Sequence, residues 1–272
     1  MPHGSSIAFS NYRKEATLTA ARLPQRICRH NSARAIAKKM NSPSIKLYAI
    51  GDIHGRLDLL ERMIGLINLD IKSHGGESLI VTLGDYIDRG PNSRGVVDCL
   101  QNNPFAGNFI PLKGNHEALL ESFLEKPAGG ADWWHLGGWE TLKSFGVTAK
   151  PQMTQRGFDR VAAQLRKALS PQQVEFFSSL KTKLVVGDYF LCHAGVRPGI
   201  ALEFQSDEDL LWIRDEFLDS QINFGKVVVH GHTPIPEPLV LANRINIDTG
   251  AFLTGRLTCV VLEEGRHRFL ST

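Results

Sequence analysis

Five short polar clusters in the sequence combine side chains that bind metals with side chains that bind phosphate. They span residues 51–55, 84–90, 114–117, 193–195 and 230–234, and they read GDIHG, GDYIDRG, GNHE, HAG and HGHTP. Each cluster follows a short apolar run of the kind that forms a buried strand. Because open α/β sheets place their binding sites in loops at strand ends, we expect the five clusters to form one site.

Six side chains in these clusters are candidate metal ligands. Asp52 and His54, two residues apart on a loop, can turn toward one point, and Asp85 has two carboxylate oxygens with which to bridge two cations. The other candidates offer an amide oxygen and two imidazole nitrogens: Asn115, His193 and His232. Oxygen and nitrogen ligands without thiolate suit Mn, Fe or Zn, and a carboxylate-bridged pair of ions suits metal-assisted phosphoryl transfer.

Taken one at a time, these residues carry little information. An aspartate at a strand end is usually a turn former or a helix cap, and a single histidine is more often an ordinary hydrogen-bonded residue. The set indicates a site because five such clusters occur in order and each of them ends an apolar run. We therefore interpret them together as a catalytic centre.

The elements that must position the clusters alternate between strands and helices in the first half of the chain. Apolar runs and helical spacing predict strand, loop and helix three times in succession: 45–50, 57–69, 78–83, 95–101, 109–113 and 117–124. The second half predicts helical segments within 126–182 and then strands with short connections: 184–192, 227–230, 239–241, 244–247 and 257–262. This pattern predicts an α/β (α+β) fold in which a second, more antiparallel sheet packs on the first.

The first 44 residues differ in composition from the rest. Residues 1–45 contain eight cations and one anion, so their charge is +7, which leaves −4 for the remainder of a chain whose total is +3. This basic, acid-poor segment at 1–44 predicts a disordered extension of a catalytic domain at 45–272. A transit peptide and a start of translation at Met40 are alternative interpretations, and the sequence leaves them open.

Composition excludes several classes of protein. Apolar residues make up 42% of the chain and charged residues 22%, as is typical of globular proteins. No stretch approaches the roughly 20 apolar residues that span a bilayer, and no basic stripe after residue 45 indicates nucleic-acid binding. The four cysteines lie far apart and form no CxxC pair, which predicts reduced thiols and a cytoplasmic location.

With these motifs the chain resembles the phosphoprotein phosphatase family of calcineurin-like metallophosphoesterases. The series GDxHG, GDxxDRG and GNHE is highly specific for that family, and the resemblance covers nearly all of residues 46–262. The short bacterial and phage lambda-type members are most similar, because they too pair a W-x-R segment with an IDTGA tract, here at 212–214 and 247–251. The resemblance implies a metallophosphatase β-sandwich, with two mixed sheets flanked by helices.

The resemblance also implies a role for each candidate metal ligand. Asp52 and His54 would hold the first of two divalent ions, and Asp85 would bridge both ions. The second ion would be held by Asn115, His193 and His232. Manganese is the expected metal, with iron or zinc as the alternatives.

Four further residues would bind the phosphate and move a proton. Arg89 and Arg214 would bind the phosphate oxygens, because a guanidinium group offers two parallel donors to them. His116 would protonate the leaving oxygen, and Asp88 would orient its ring and raise its basicity. An alkoxide leaving group such as that of serine needs such a proton.

Three functions compete on this sequence. The resemblance favours a protein phosphatase for phosphoserine and phosphothreonine, with phosphotyrosine as a further substrate. Symmetric diadenosine tetraphosphatases share the metal loops, but they often lack the aspartate that is intact here at position 88. A non-catalytic scaffold on the same fold should lack a metal ligand, and none of the six is missing.

The expected partners follow from the same comparison of motifs. The chain ends ten residues after Leu262, without the longer C-terminal region and docking grooves of eukaryotic members. We therefore expect a phosphorylated protein or a small phosphoester as the substrate. We expect no regulatory subunit, no nucleic acid and no membrane.

Overall fold

The computed structural model describes residues 45–149 and 154–272, which form two five-stranded sheets packed on each other. The strands of the first sheet are Lys46–Ile50 (β1), Ser78–Thr82 (β2), Asn108–Pro111 (β3), Thr258–Glu263 (β9) and Arg266–Ser271 (β10). Their order is β10-β9-β1-β2-β3. The three strands β1, β2 and β3 are parallel, whereas β9 and β10 are antiparallel to their neighbours. The prediction for residues 1–44 lies outside the described residues.

The second sheet is mixed as well. Its strands are Lys183–Val186 (β4), Tyr189–Cys192 (β5), Val227–His230 (β6), Leu239–Val240 (β7) and Arg244–Asn246 (β8), in the order β4-β5-β6-β8-β7. The inner strands β5, β6 and β8 are parallel, and each edge strand is antiparallel to its neighbour. The carboxyl ends of β5 and β6 therefore point the same way, toward one edge of the sandwich.

Helices follow the first three strands, as the alternating pattern predicts. The longer ones are Leu57–His74 (α1), Ser93–Leu100 (α2), Asn115–Glu125 (α3), Gln155–Ala168 (α6) and Pro171–Ser179 (α7). The short ones are Gly130–Trp133 (α4), Trp139–Ser144 (α5), Asp207–Trp212 (α8), Asp215–Leu218 (α9) and Ala251–Thr254 (α10). A five-residue π-helical turn, Trp134–Gly138, joins α4 to α5.

Local sequence explains the helix that follows the first cluster. In α1 the side chains of Leu60, Met63 and Ile67 recur at helical spacing and are fully buried. The helix ends at Gly75, whose φ of 71° is left-handed and whose N–H donates to the carbonyl of Ile71.

Three apolar layers hold the elements together. Alternate residues of β1 serve two of them: Tyr48 and Ile50 face the helices, whereas Leu47 and Ala49 lie between the two sheets. The third layer covers the outer face of the second sheet, where Phe217 of α9 is fully buried with side chains of β5, β6 and α8. Burial of β1 on both faces is typical of the parallel part of an α/β sheet.

The predicted fold class, two mixed sheets flanked by helices, is confirmed, but three details of the prediction are wrong. The run at 184–192 is a hairpin of two strands, because Gly187 has a φ of 55° and turns the chain between them. The second sheet is no more antiparallel than the first. Strand β10 was not predicted, since its polar residues suit an exposed edge strand.

In the described part of the chain, no helix combines the length and the apolar character needed to cross a membrane.

Candidate metal centre

The loops that follow the strands meet at one edge of the sandwich and are tied together through their backbones. The N–H groups of Ile53 and His54 donate to the carbonyl of Asp85, at 3.1 and 2.8 Å. Within the second sheet, the N–H of Gly231 donates to the carbonyl of His193 at 2.8 Å, and between the two sheets the N–H of His232 donates to the carboxylate of Asp52 at 3.1 Å. The five polar clusters of the sequence therefore form one continuous surface, as predicted.

The backbone of this surface is strained. Among the described residues, seven other than glycine have positive φ, and five of them belong to the polar clusters: His54, Asp85, Asp88, Arg89 and His232. Side chains seldom adopt this conformation, and such strain is typical of functional sites, where it aims side chains at a common point. Gly90 lets the loops approach, because a Cβ there would lie 1.9 Å from the carbonyl oxygen of His54.

Two groups of donor atoms lie at this edge, and Asp85 belongs to both. One group is His54, Asp85 and His116; the other is Asp85, His193 and His232. Within each group the donor atoms are less than 4.8 Å apart, and all five side chains are buried. Asp85 therefore has the position that a carboxylate shared by two cations requires.

Two histidines are held in the tautomer that a metal needs. The ring nitrogen Nδ1 of His54 lies 2.8 Å from the carbonyl oxygen of Ile87, and Nδ1 of His193 lies 3.0 Å from that of Leu83. A carbonyl only accepts, so Nδ1 carries the proton and the lone pair is on Nε2. Both Nε2 atoms face Asp85, at 3.3 and 3.5 Å from its oxygens.

The second group fits a cation best. Nε2 of His193 lies 2.8 Å from the amide oxygen of Asn115, and Nδ1 of His232 lies 3.0 Å from the same oxygen. Nε2 of His193 and Nδ1 of His232 are 3.1 Å apart. The other nitrogen of the His232 ring, its buried Nε2, has no hydrogen-bond partner among the described residues. Burial, followed by the neighbouring His193, lowers the pKa of His232 to about 2. A neutral ring in a cluster of electron-pair donors is the form that binds a metal.

Asp52 lies beside these groups and belongs to neither of them. Both of its carboxylate oxygens accept the main-chain N–H of His232, at 3.1 and 3.3 Å. Burial raises the pKa of Asp52 well above its usual value, and the charges of Asp248 and Asp85 raise it further. Three buried carboxylates so close together repel one another, and a divalent cation among them would offset that repulsion.

His116, a member of the first group, forms a buried pair with Asp88. Nδ1 of His116 lies 2.6 Å from Oδ2 of Asp88, which also accepts the indole N–H of Trp133 at 2.8 Å. The other oxygen of Asp88 accepts the hydroxyl of Thr141 at 2.6 Å. Burial alone would lower the pKa of His116, but the negative Asp85 and the hydrogen bond to Asp88 outweigh it and raise the pKa. The imidazole is therefore fixed, with Nε2 directed into the site.

The two arginines occupy different places. Arg89 lies inside the site, with one amino group 3.0 Å from Nε2 of His54 and the other 3.0 Å from Nε2 of His116. A cation bound to His54 would displace the first of these contacts and free that amino group for a phosphate oxygen. Arg214 is exposed at the rim, where it donates to the hydroxyl of Thr233 at 3.0 Å.

Glu117 is a site residue that sequence reasoning missed. Its fully buried carboxylate accepts three main-chain N–H groups, from Asp85 at 2.9 Å, Tyr86 at 2.8 Å and Gly114 at 2.9 Å. It therefore joins the loop after β2 to the loop after β3. Burial and the charge of Asp85 raise the pKa of Glu117 to about 8. The signal was present, because a glutamate at the third helical position is typical of a capping box.

Three other polar residues near the site have structural roles. Asp248 accepts the N–H of Gly250 at 2.9 Å and so orders its own loop. Lys113 pairs with the buried Glu121 at 2.7 Å. His230 packs its ring 5.0 Å from that of Phe217, away from the ligand groups, because the chain turns after β6 and His232 lies beyond the strand.

Comparison with known families decides what kind of site this is. The sequence model of the calcineurin-like phosphoesterase family matches residues 45–255. The chain belongs to this family. The match spans all five polar clusters, so the candidate dinuclear centre is that of a metallophosphoesterase.

Individual relatives carry two kinds of name. Serine/threonine-protein phosphatase 2 of Escherichia coli is 30% identical over 223 residues, which cover 78% of this chain and 90% of that protein. The asymmetrical bis(5'-nucleosyl)-tetraphosphatase of Anoxybacillus flavithermus is 27% identical over 230 residues, which cover 78% of this chain and 88% of that protein. The resemblance to the phosphoprotein phosphatases is thus confirmed, and hydrolysis of phosphoesters is the activity that both names share.

A solved structure supports the fold. A crystal structure described as a putative diadenosine tetraphosphatase superposes with a TM-score of 0.59 at 19% identity, covering 85% of this chain and 95% of the other. At that identity the likeness concerns the sandwich of two sheets alone.

Proposed function

We propose that this protein is a divalent-metal-dependent phosphomonoester hydrolase that acts on phosphoserine and phosphothreonine in proteins. The observation that carries the proposal is the position of Asp85, which belongs to both groups of donor atoms. In this proposal His54 and Asp85 of the first group bind one ion together with the neighbouring Asp52, and His116, the third member of that group, is left as the proton donor. The other ion is bound by Asp85 together with Asn115, His193 and His232.

When bound, the two ions would supply Lewis acidity that activates a water molecule and offsets the charge of the phosphate. Manganese is the first candidate, because the ligands are oxygen and nitrogen atoms without thiolate. The chain itself supplies the groups that bind and orient the ester. Arg89 lies between His54 and His116, so its guanidinium group would hold the phosphate between the ion site and the proton donor.

His116 is the proposed proton donor to the leaving oxygen. Asp88 accepts its Nδ1–H, stabilises the charged ring and leaves Nε2–H for the leaving group. Arg214 lies at the rim on the side of His232 and would bind a phosphate oxygen as the substrate enters. In this arrangement the arginines bind the negatively charged phosphate, and His116 donates the proton to the leaving oxygen.

Two observations favour a phosphoprotein over a nucleotide. Asp88 is present and supports a proton donor, which the alkoxide of serine or threonine needs more than a polyphosphate leaving group does. The serine/threonine-protein phosphatases of Escherichia coli and Salmonella typhimurium are among the most similar curated relatives, at 30% and 28% identity.

Hydrolysis of dinucleoside polyphosphates is the second candidate function. Relatives named as asymmetrical bis(5'-nucleosyl)-tetraphosphatases match over similar lengths, at 24 to 27% identity. A nucleotide would use the same ion site and the same arginines, so these residues do not discriminate between the two substrates.

A side-by-side assay tests the proposal. The purified chain is stripped of metal, reloaded with Mn²⁺, and assayed on a phosphoserine and phosphothreonine peptide panel and on diadenosine tetraphosphate. We expect chelation to abolish activity, Mn²⁺ to restore it, and the peptides to give the higher kcat/KM. Activity in a preparation shown by elemental analysis to contain no metal contradicts the dinuclear centre, whereas a higher kcat/KM on the dinucleotide establishes the second candidate.

A further inference from the structure

An aromatic cavity of about 660 Å³ opens beside Arg89, outside the ligand groups. Its aromatic walls are Trp134, Trp139 and Phe252, and polar groups on its lining come from His135 and Glu140. A volume in the range of about 300–1,000 Å³ is that of a site for a small organic molecule. The three aromatic side chains are half-buried and present part of their surface to the cavity.

The backbone sets where this cavity lies relative to the phosphate-binding arginine. The N–H of Arg89 donates to the carbonyl of Gly137 at 3.3 Å, within the turn that begins at Trp134 and is followed directly by Trp139. Gly137 has a φ of 112°, and a Cβ there would lie 2.6 Å from the backbone nitrogen of Arg89. Only glycine permits this approach. The rings of Trp134 and Trp139 also contact each other, with centroids 5.0 Å apart. The wall that they form is therefore positioned both by this contact and by the hydrogen bond between Arg89 and Gly137.

The inner end of the cavity adjoins the catalytic residues. The ring of Phe252 lies under the guanidinium carbon of Arg89, 4.8 Å from it, and its centroid is 5.2 Å from that of the His54 ring. A group attached to a phosphate bound by Arg89 would therefore enter the cavity, where it would first contact the ring of Phe252 and then the indoles of Trp134 and Trp139.

We propose that this cavity binds the planar aromatic ring of a further class of substrate, in addition to phosphoserine and phosphothreonine, which carries such a ring close to its phosphate. This inference rests on the proposed function, because the ring is placed relative to a phosphate held by Arg89. Aromatic walls favour a planar ring over an alkyl chain, through stacked and edge-to-face contacts. His135 and Glu140 can hydrogen-bond to polar atoms at the edge of such a ring. The ring is a nucleobase or the phenol ring of phosphotyrosine, which share this chemistry.

Two matched pairs of phosphates test the proposal on the Mn²⁺-loaded full chain. Adenosine 5'-monophosphate and ribose 5-phosphate differ by the nucleobase alone, and phenylphosphonate and methylphosphonate differ by the ring alone. Calorimetry gives the dissociation constant of each, and the first pair is used as its non-hydrolysable phosphonate analogues so that the loaded enzyme does not consume them. We expect the member with the ring to bind about tenfold more tightly in one or both pairs. Preference within the first pair identifies a nucleobase site, and preference within the second pair identifies a site for a directly attached ring.

Variants of the walls show whether the cavity causes the preference. We expect the double substitution Trp134→Leu with Trp139→Leu to bring the ratio of the two dissociation constants below about threefold. Phe252→Leu serves as an independent variant of the same cavity. Trp212→Leu is the matched control, because this tryptophan lies 6.4 Å from the His232 ring, outside the cavity, and should keep the ratio.

Two results overturn the proposal: ratios near one in the unsubstituted protein, and ratios that persist in both cavity variants. Either result leaves the proposed function standing if the same Mn²⁺-loaded preparation hydrolyses a phosphoserine peptide. Absence of hydrolysis with intact ring preference counts instead against the proposed function.

Discussion

Replacement of Trp133 by Phe tests how the buried acid pair is positioned. The indole N–H of Trp133 donates to Oδ2 of Asp88, the oxygen that also contacts Nδ1 of His116. Phenylalanine keeps an aromatic ring against Phe123, whose centroid is 4.8 Å away, but removes the donor together with part of the volume of the buried indole. We expect Asp88 to rotate more freely and His116 to deliver its proton less efficiently.

The magnitude follows from the one hydrogen bond that is lost. A hydrogen bond to a charged group is worth about 1.5–3 kcal/mol, and Thr141 still holds the other oxygen of Asp88. We therefore expect the transition state to lose stabilisation by about 1.5 kcal/mol, the lower end of that range. This corresponds to about a tenfold loss in kcat. Loss of His116 itself, as in His116→Asn, should cost about 10²–10⁴-fold on a phosphoserine peptide.

The assay compares two leaving groups. The alkoxide of phosphoserine needs a proton, whereas p-nitrophenolate leaves nearly unaided, so both variants should lose less kcat on p-nitrophenyl phosphate. In a double-mutant cycle, Trp133→Phe should have almost no further effect once His116 is replaced. An equal loss on both substrates, or a full effect of Trp133→Phe in the His116→Asn background, would refute the reasoning. Metal content measured in parallel excludes loss of the ions as the cause.

Three further predictions concern the bridging ligand Asp85, the loop-joining Glu117 and the exposed Arg214. Asp85→Asn should lower the affinity for both metal ions, measured by calorimetry, more than any other single ligand change; retention of two ions at unchanged affinity contradicts a bridging role. Glu117→Ala leaves three buried N–H groups without their acceptor, so urea unfolding should show a loss of at least about 3 kcal/mol; Glu117→Gln, which keeps an acceptor, should lose less. Arg214→Ala should lower kcat/KM about tenfold, by similar factors on a phosphoserine peptide and on p-nitrophenyl phosphate, and an effect confined to one substrate contradicts a contact with the phosphate.

The sequence by itself determined the fold class and the candidate members of the site other than Glu117. Apolar runs that end in glycine and a polar residue are local patterns, so strands, loops and their order can be read without the tertiary structure. The clusters at 51–55, 84–90 and 114–117 follow consecutive parallel strands, and such strands bring their carboxyl ends to one edge of a sheet. The candidate ligands and Arg89 were therefore found in the polar clusters, whereas Arg214 came from the family resemblance, and the roles of all of them remain predictions.

Only the tertiary structure decided how these residues are grouped and supported. Asp88 is held by Trp133 and Thr141, which lie 45 and 53 residues away in sequence. No periodicity or spacing predicts such contacts, because they depend on how a helical segment packs against the loops at the edge of the sheet. The same holds for the placement of Asp52 outside the tight donor groups and for the aromatic cavity beside Arg89. Residue type sets what a side chain can do, whereas packing between distant segments sets which atoms it meets.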